Sequence, residues 1–402
     1  MKKQIYLGMI FLCSTLLFAG CGNGKKQYKE GIELAKEGKY SQAAESMEKA
    51  IKENKERAEY YISYGMILNN MGEYQKAIEQ FEMAYQDTEN TIADKNNKQL
   101  FYGEAISYFY LLQYEKSLEF CDKALALEEP DSLDSDILCS KGAILEVLGQ
   151  QEEALQSYEK AIKENKENWG AYLKKADLKQ KQDARDEAVE LYQKVFQSAE
   201  KEKYEAGFKL VDLYQEAGDE DTSQQILNEI LKKKSKDSYV LCQQGRAYQY
   251  LGDIEKAVDY YNKALEKKYN EANYYLGMCA MEQEDYAGAN EYFQTYLKGD
   301  AGEHFGMAYN QLAGCAMEQG DFTTAASYLE EGKLLNDSES QLLIWKNLVV
   351  FYEQQGMFKK ARKTAREYLA LCPQDEEMQK ELEFIKTRIK KKKIKKQESS
   401  IE

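Results

Sequence analysis

One pattern of small and aromatic residues recurs along nearly the whole chain. A small residue is followed twelve positions later by alanine and sixteen positions later by an aromatic residue, as in Gly65, Ala77 and Phe81. We call the first residue of each unit its anchor and number positions from it. The anchors lie 32 to 40 residues apart, at Gly31, Gly65, Ala105, Gly142, Ala176, Val211, Gly245, Gly277, Ala313 and Val349. A period of this length predicts stacked small units instead of one large core.

Each unit is predicted to be two antiparallel helices joined by a tight turn. A glycine follows the anchor by seven positions at Gly38, Gly72, Gly149, Gly218, Gly252, Gly320 and Gly356. Glycine at that place ends a helix in a left-handed conformation that other residues adopt at higher cost. Neither helix can bury its apolar stripe alone, so neighbouring units must stack. A small anchor is expected wherever two helices cross too closely for a larger side chain.

These spacings resemble the tetratricopeptide repeat, with ten units over about residues 24–375. Trp345 and Leu348 before the last anchor, and Pro373 after its unit, are further marks of that family. The resemblance implies an all-α fold, a right-handed α-α superhelix of about ten helix-turn-helix repeats with a C-terminal capping helix. It also implies a concave groove lined by the first helix of each unit.

The pattern weakens at two places. The polar stretch Thr88–Asn97 predicts a loop, and the sixth unit, with Val211 as its anchor, predicts a loosely packed joint. The predicted divisions are a signal peptide at 1–20, a short tether at 21–26, an N-terminal array of about six repeats at 27–230, a C-terminal array of about four at 231–375, a capping helix at 376–391 and a basic, polar tail at 392–402.

The N-terminus has the features of a bacterial export signal. Lys2 and Lys3 precede the apolar run Ile5–Ala19, which as a helix spans roughly 22 Å, less than a bilayer core of about 30 Å. The residues up to Cys21 resemble a lipobox, although Phe18 stands where leucine is usual. The resemblance implies cleavage before Cys21, acylation with fatty acids such as palmitate, and anchoring on the extracytoplasmic face of the cell membrane. Cleavage without lipid and an uncleaved anchor remain the alternatives.

The composition leaves little room for catalysis. His304 is the only histidine, and the phosphate-loop, nucleophile-elbow and zinc-protease motifs are absent from the sequence. We therefore predict no enzyme activity, no catalytic residue, no metal site and no cofactor. His304 is expected to face solvent in a turn between repeats. The body cysteines favour buried structural thiols over a disulfide framework; they are Cys121, Cys139, Cys242, Cys279, Cys315 and Cys372.

The groove face comprises the positions three before, one after and four after each anchor, which share one side of the first helix. It is apolar in two sectors that flank a polar stretch. The predicted partner-binding residues, including one neighbour of that face, are Ile62, Met66, Tyr102, Ile106, Phe109, Tyr110, Tyr274, Met278, Met281 and Met317. Such a surface suits a docked helix or extended peptide. The alternative is that some of them pack against neighbouring first helices and meet no ligand.

Charge is unevenly distributed along the chain. The formal net charge is -15, although residues 386–396 form a basic run. An acidic body opposes binding to nucleic acid and adsorption to anionic membranes, so no nucleic-acid partner is predicted. The basic run is either a solvated helix end or a contact with an anionic envelope polymer.

The sequence therefore predicts a membrane-anchored scaffold that binds a protein or peptide in its groove, for assembly, export or envelope organisation. The alternative function is binding of carbohydrate or a wall polymer by groove tyrosines and the basic tail.

Overall fold

A computed structural model of the protein describes residues 24–86, 91–127, 133–299, 304–334 and 338–398. The predicted signal peptide and Cys21 lie outside this part of the chain. Within the described ranges every regular element is a helix, and the helices follow one another as helix-turn-helix pairs. The predicted all-α repeat fold is confirmed.

The chain divides into two compact parts at Lys203, which we call the first unit and the second unit. The individual repeats are called hairpins from here on. In the described part of the first unit, five hairpins are formed by α1 (Lys25–Lys36), α2 (Tyr40–Glu53), α3 (Ala58–Met71), α4 (Tyr74–Ala84), α5 (Thr91–Tyr110), α6 (Tyr114–Leu125), α7 (Leu133–Val147), α8 (Gln151–Glu164), α9 (Trp169–Lys181) and α10 (Arg185–Ser198).

The second unit contains α11 (Lys203–Glu216), α12 (Glu220–Lys232), α13 (Ser238–Tyr250), α14 (Ile254–Glu266), α15 (Glu271–Glu282), α16 (Tyr286–Lys298), α17 (Phe305–Glu318), α18 (Phe322–Gly332), α19 (Ser338–Gln354), α20 (Phe358–Leu371) and α21 (Glu376–Glu398). The hairpin of Val211, at which the sequence predicts a loosely packed joint, is formed by α11 and α12 and lies at the start of this unit. The last helix begins at the expected residue, Glu376, and extends beyond residue 391 to Glu398.

The anchors explain how each hairpin closes. All ten lie in odd-numbered helices and are buried, and at the five glycine anchors a second-helix side chain packs against the position that a Cβ atom would take. In the first unit, the Phe81 ring is fully buried between Gly65 and Gly103. A Cβ atom on either glycine would come closer than 3.0 Å to three carbon atoms of that ring. The absence of a side chain at these two positions therefore sets how closely the helices approach.

Each first helix ends at a left-handed residue seven positions after its anchor. Seven of these residues are the glycines expected from the sequence. The other three are Leu112, Asp183 and Glu284, with φ of 59°, 58° and 60°. This conformation costs a non-glycine residue roughly 1–2 kcal/mol. The turn geometry is therefore kept even where no glycine marks it.

The loop expected at Thr88–Asn97 is wrong from Thr91 onward, where α5 begins; residues 87–90 lie outside the described part of the chain. Asn97 and Lys98 are buried. The Asn97 amide exchanges hydrogen bonds with the backbone of Gln86 at 3.1 and 2.8 Å, and Lys98 Nζ pairs with Asp134 at 2.5 Å. These polar residues form an interface between hairpins, which their composition alone does not distinguish from a loop.

Side-chain pairs join consecutive hairpins of the first unit at one repeated position. The residue before an anchor bonds to the residue seventeen positions after the preceding anchor. The pairs are Tyr64–Glu48 at 2.5 Å, Lys141–Asp122 at 2.5 Å and Lys175–Glu159 at 2.8 Å. Each joins a carboxylate to a hydroxyl or an ammonium group, so this position is chemically complementary at three interfaces.

The interface between α4 and α5 departs from this rule, because the residues at the two corresponding positions, Glu82 and Glu104, both carry carboxyl groups. Glu104 is only 4% exposed. Burial, and then the charge of Glu82, raises the pKa of Glu104 to about 8, while Lys123 acts in the opposite direction. Lys123 also pairs with Glu119 at 2.7 Å. Glu104 is therefore protonated at neutral pH in the folded protein.

The Phe81 packing predicts that Gly103→Ala destabilises the protein. Overpacking of this kind typically costs about 1–3 kcal/mol, more than the roughly 1 kcal/mol that alanine gains over glycine in a helix. Gly314→Ala is the matched control, because the nearest atom to a Cβ there is Met281 Cε at 3.9 Å. Urea denaturation of both variants measures the difference. Equal stability of the two would contradict this account of the crossing.

The carboxyl pair predicts a pH dependence. The unfolded chain releases the Glu104 proton near pH 4.3, whereas the folded protein holds it to about pH 8. The free energy of unfolding should therefore fall as pH rises through this interval and level off above it. Glu104→Gln cannot ionise, and its unfolding free energy, measured by urea denaturation across the interval, should fall less. Glu79→Gln, exposed on α4, should behave like the wild type; a Glu104→Gln curve that also matches the wild type would refute the assignment.

Candidate partner-binding groove

The groove face of the first unit is mostly occupied by packing. Ile62 is 4% exposed, and Tyr102, Ile106, Phe109 and Tyr110 are no more exposed than that. The Tyr102 hydroxyl bonds to the Ser140 hydroxyl at 3.0 Å, and the Tyr110 ring stacks on Tyr74 with centroids 4.8 Å apart. Of the six residues predicted in this sector, Met66 alone is half-buried. The others offer a ligand very little surface.

The second unit leaves more of the groove face accessible. Met278, Met281 and Met317 are half-buried, and Val350 is 47% exposed. Gly314 lies among them, and a Cβ atom there would meet only Met281 Cε, at an ordinary van der Waals distance of 3.9 Å. We call these five residues of α15, α17 and α19 the methionine face. Tyr274, predicted in the same sector, is 6% exposed and belongs to the core.

Two members of the methionine face, Gly314 and Val350, were not among the predicted binding residues. Both occupy the position one after an anchor, so the repeat register contains the signal that finds them. Glycine has no side chain to suggest binding, so only its surroundings in the folded protein indicate that it belongs to this surface. The methionines were recognised because their side chains are apolar and flexible.

Tyrosines from the second helices satisfy the polar stretch of the groove face. Each lies sixteen positions after an anchor and donates its hydroxyl to a groove-face acceptor. The bonds are Tyr158 to Glu146 at 2.6 Å, Tyr192 to Asp177 at 2.5 Å and Tyr261 to Gln249 at 2.8 Å. In the hairpin where this position is Phe293, the residue above is the apolar Met281. In these four hairpins the ring beneath the anchor matches the polarity of the groove face, whereas above Phe81 the corresponding groove position is Asn69, whose amide bonds to Gly103 and Ser107 instead.

The electrostatic character of the methionine face is acidic. Helices α15 and α17 contain no lysine or arginine. Glu282 and Glu318 directly follow Met281 and Met317, and both are exposed. On α19, Lys346 pairs with Asp375 at 2.8 Å. The apolar surface is thus bordered by carboxylates.

On the neighbouring first helix α13, the Arg246 guanidinium lies over the Phe208 ring, 4.0 Å from its centroid, and 5.2 Å from that of Tyr275. Arg246 also donates to Gln243 Oε1 at 2.9 Å. The positive charge of Arg246, on the first helix that precedes the methionine face, is therefore engaged with aromatic rings and an amide of the second unit.

The expectation that His304 faces solvent is wrong. His304 precedes α17, its ring stacks on Tyr274 with centroids 4.3 Å apart, and its Nδ1 contacts a carboxylate oxygen of Glu271. The other oxygen of Glu271 accepts from the Tyr296 hydroxyl at 2.9 Å. Burial acts to raise the pKa of Glu271, but the hydrogen bonds from His304 and Tyr296 and the neighbouring positive charge together outweigh it and hold that pKa below its usual value. The histidine thus satisfies a carboxylate that is buried between hairpins.

The six body cysteines are buried thiols. Burial raises the pKa of the Cys139 thiol to about 12, so it stays protonated and unreactive at neutral pH. In the described ranges, no group of three His, Cys, Asp or Glu side chains is arranged to hold a metal ion. None of the helices described combines the length and apolarity needed to cross a bilayer.

Family models of the tetratricopeptide repeat match residues 28–91, 135–168, 242–304 and 342–382. Together these stretches cover about half of the chain, and they lie in both units. The chain belongs to the tetratricopeptide repeat family. Members of this family are typically non-catalytic scaffolds that bind proteins or peptides.

Three solved structures illustrate the similarity of this chain to known folds. A tetratricopeptide repeat protein from Parabacteroides merdae is 17% identical, with 68% of this chain and 98% of that chain covered and a TM-score of 0.42. PilF of Pseudomonas aeruginosa is 16% identical, with 61% of this chain and 91% of that chain covered and a TM-score of 0.38. YrrB, described as having an unusual peptide-binding site, is 21% identical, with 56% of this chain and 92% of that chain covered and a TM-score of 0.31. Likeness at this level concerns the fold and not the ligand.

Proposed function

We propose that this protein is a membrane-anchored, non-enzymatic scaffold that binds a protein or peptide partner on its groove face, for assembly, export or envelope organisation. The observation that carries the proposal is the methionine face. Three half-buried, flexible thioether side chains, an exposed valine and a glycine whose Cβ position would meet only Met281 form an apolar surface that the hairpins cover only in part. A partly uncovered surface of this kind suits an inserted apolar side chain of a partner.

The binding surface we propose is narrower than the predicted set of groove residues. Tyr102, Ile106 and Phe109 hold neighbouring hairpins together, so their truncation would create cavities and impair folding. Met281 and Met317 pack at the edges of the core clusters and are half-buried. Changes at these two methionines test binding with less disturbance of the fold.

Anchoring through a lipidated Cys21 remains part of the proposal. Its support is the lipobox-like sequence, together with the short distance along the chain from Cys21 to α1, which begins at Lys25. The backbone N–H of Gly24 donates to Glu53 at 2.7 Å, which joins the start of α1 to α2. Fewer than five residues then separate the lipid from folded structure, a reach of roughly 15 Å at most. The first hairpin would lie close to the membrane surface.

Lipidation is tested by Cys21→Ser. The variant should lose metabolic labelling with an alkyne-tagged fatty acid and move from the membrane fraction to the soluble fraction, because its thiol is gone. Cys139→Ser, which changes a buried thiol, serves as the control and should still be labelled. A wild-type protein that takes up no fatty acid would contradict the anchoring proposal.

Groove binding is tested in intact cells with a photoreactive amino acid. Incorporated at Met281, it should crosslink one defined partner that mass spectrometry identifies. Incorporated at Glu266, exposed at the end of a second helix, it should not crosslink that partner. Identical products from both positions, or none from Met281, would count against the methionine face.

The second candidate function, binding of carbohydrate or an anionic wall polymer, draws on one observation. Helix α21 runs to Glu398 and so includes the basic run at 386–396. Salt-sensitive wall retention that is lost on deletion of 386–402 would favour this function over a protein partner.

A further inference from the structure

We propose that the segment recognised by the methionine face is an apolar stretch of a partner protein that carries lysine or arginine next to its apolar anchor residues. This inference rests on the proposed function, because it names the chemistry of the partner for the same surface. Two observations carry it. One is the apolar surface around Gly314, which we call the floor, and the other is the pair of exposed carboxylates that border it.

The floor is formed at Gly314. A helical glycine is usually less favourable than alanine by roughly 1 kcal/mol, and no neighbouring side chain needs its absence of a Cβ, since the nearest atom is Met281 Cε at 3.9 Å. The contrast with Gly65 and Gly277 is clear, because a Cβ atom there would collide with the rings of Phe81 and Phe293. No close packing contact therefore requires a glycine at position 314, and its place on the groove face lets a partner side chain approach the helix backbone.

The walls are apolar and adjustable. Met281 contributes its terminal methyl group from α15, Met317 follows on α17, and Val350 stands exposed on α19. Methionine side chains repack around different apolar shapes at little cost. A leucine-sized side chain packed on this floor would gain roughly 1.5–3 kcal/mol from burial.

The rim supplies the charge preference. Glu282 and Glu318 are exposed beside the two methionines, α15 and α17 carry no basic residue, and Lys346 on α19 is paired with Asp375. A partner carboxylate would therefore meet like charge, whereas a lysine or arginine would meet two exposed carboxylates, of which Glu282 also accepts a hydrogen bond from the Gln249 amide. Rim charges mainly affect the choice of partner and the association rate, while the apolar anchor provides most of the affinity.

The test uses short fluorescein-labelled peptides of equal length and leucine content that carry lysine, glutamate or serine at the remaining positions. Binding to the full chain is followed by fluorescence polarisation at physiological salt. We expect the leucine–lysine peptide to bind at least about tenfold more tightly than the leucine–glutamate peptide. Gly314→Leu fills the floor and should weaken binding of the leucine–lysine peptide about tenfold or more, with circular dichroism confirming an intact helical fold.

The charge preference is isolated by a matched pair of variants. Glu282→Gln with Glu318→Gln should reduce the preference for lysine over glutamate. Glu266→Gln with Glu291→Gln removes the same two charges from exposed positions on the second helices α14 and α16, and it should leave the preference unchanged. Equal effects of the two pairs would mean nonspecific attraction to an acidic protein and would overturn the inference.

The remaining outcomes separate the inference from the function on which it rests. If serine and glutamate peptides bind as tightly as the lysine peptide and Gly314→Leu blocks all three, the groove function stands and the proposed partner chemistry is wrong. If no peptide binds, the inference falls, and the crosslinking experiment at Met281 decides separately whether the groove face has a partner.

Discussion

The close crossing of the two helices within a hairpin is the constraint on which the structure depends. A small residue on the first helix leaves room for a ring or aliphatic side chain from the second, and that side chain becomes part of the core. At Phe81 the arrangement is doubled, because glycines of two successive hairpins face the same ring. Crossing and stacking are then a single packing problem. A chain with little proline and no large core can extend by repeating this solution.

The same crossing decides the chemistry of the surface above it. A tyrosine beneath the anchor brings a hydroxyl group that needs an acceptor, and Glu146, Asp177 and Gln249 supply it from the groove face. A phenylalanine has no such requirement, and Met281 stands above Phe293. The side chains of the polar stretch therefore contribute to the stability of their hairpins, whereas the methionine face, the partner site that we propose, has no such hydroxyl group to satisfy.

Polar groups between hairpins give each interface its own character. The pairing of a carboxylate with a hydroxyl or ammonium group recurs at the same position of three interfaces in the first unit. At the fourth, Glu104 remains neutral because it is buried and because Glu82 occupies the complementary place. In the second unit, His304 and Tyr296 together satisfy Glu271. Groups that look like solvated surface in the sequence thus define which hairpins fit together.

The sequence by itself determined the anchors, the turns and the hairpins, because each depends on residues close together along the chain and on the periodicity of one helix. It also identified Met278, Met281 and Met317 as members of one helix face. Only the tertiary structure decided that Phe109 and Tyr102 are buried, that His304 meets Glu271 and that a Cβ atom at Gly314 would meet only Met281. Helical periodicity specifies the side of a helix on which a residue lies. How much of that side the next hairpin covers depends on side chains more than thirty residues away, and no local pattern records it.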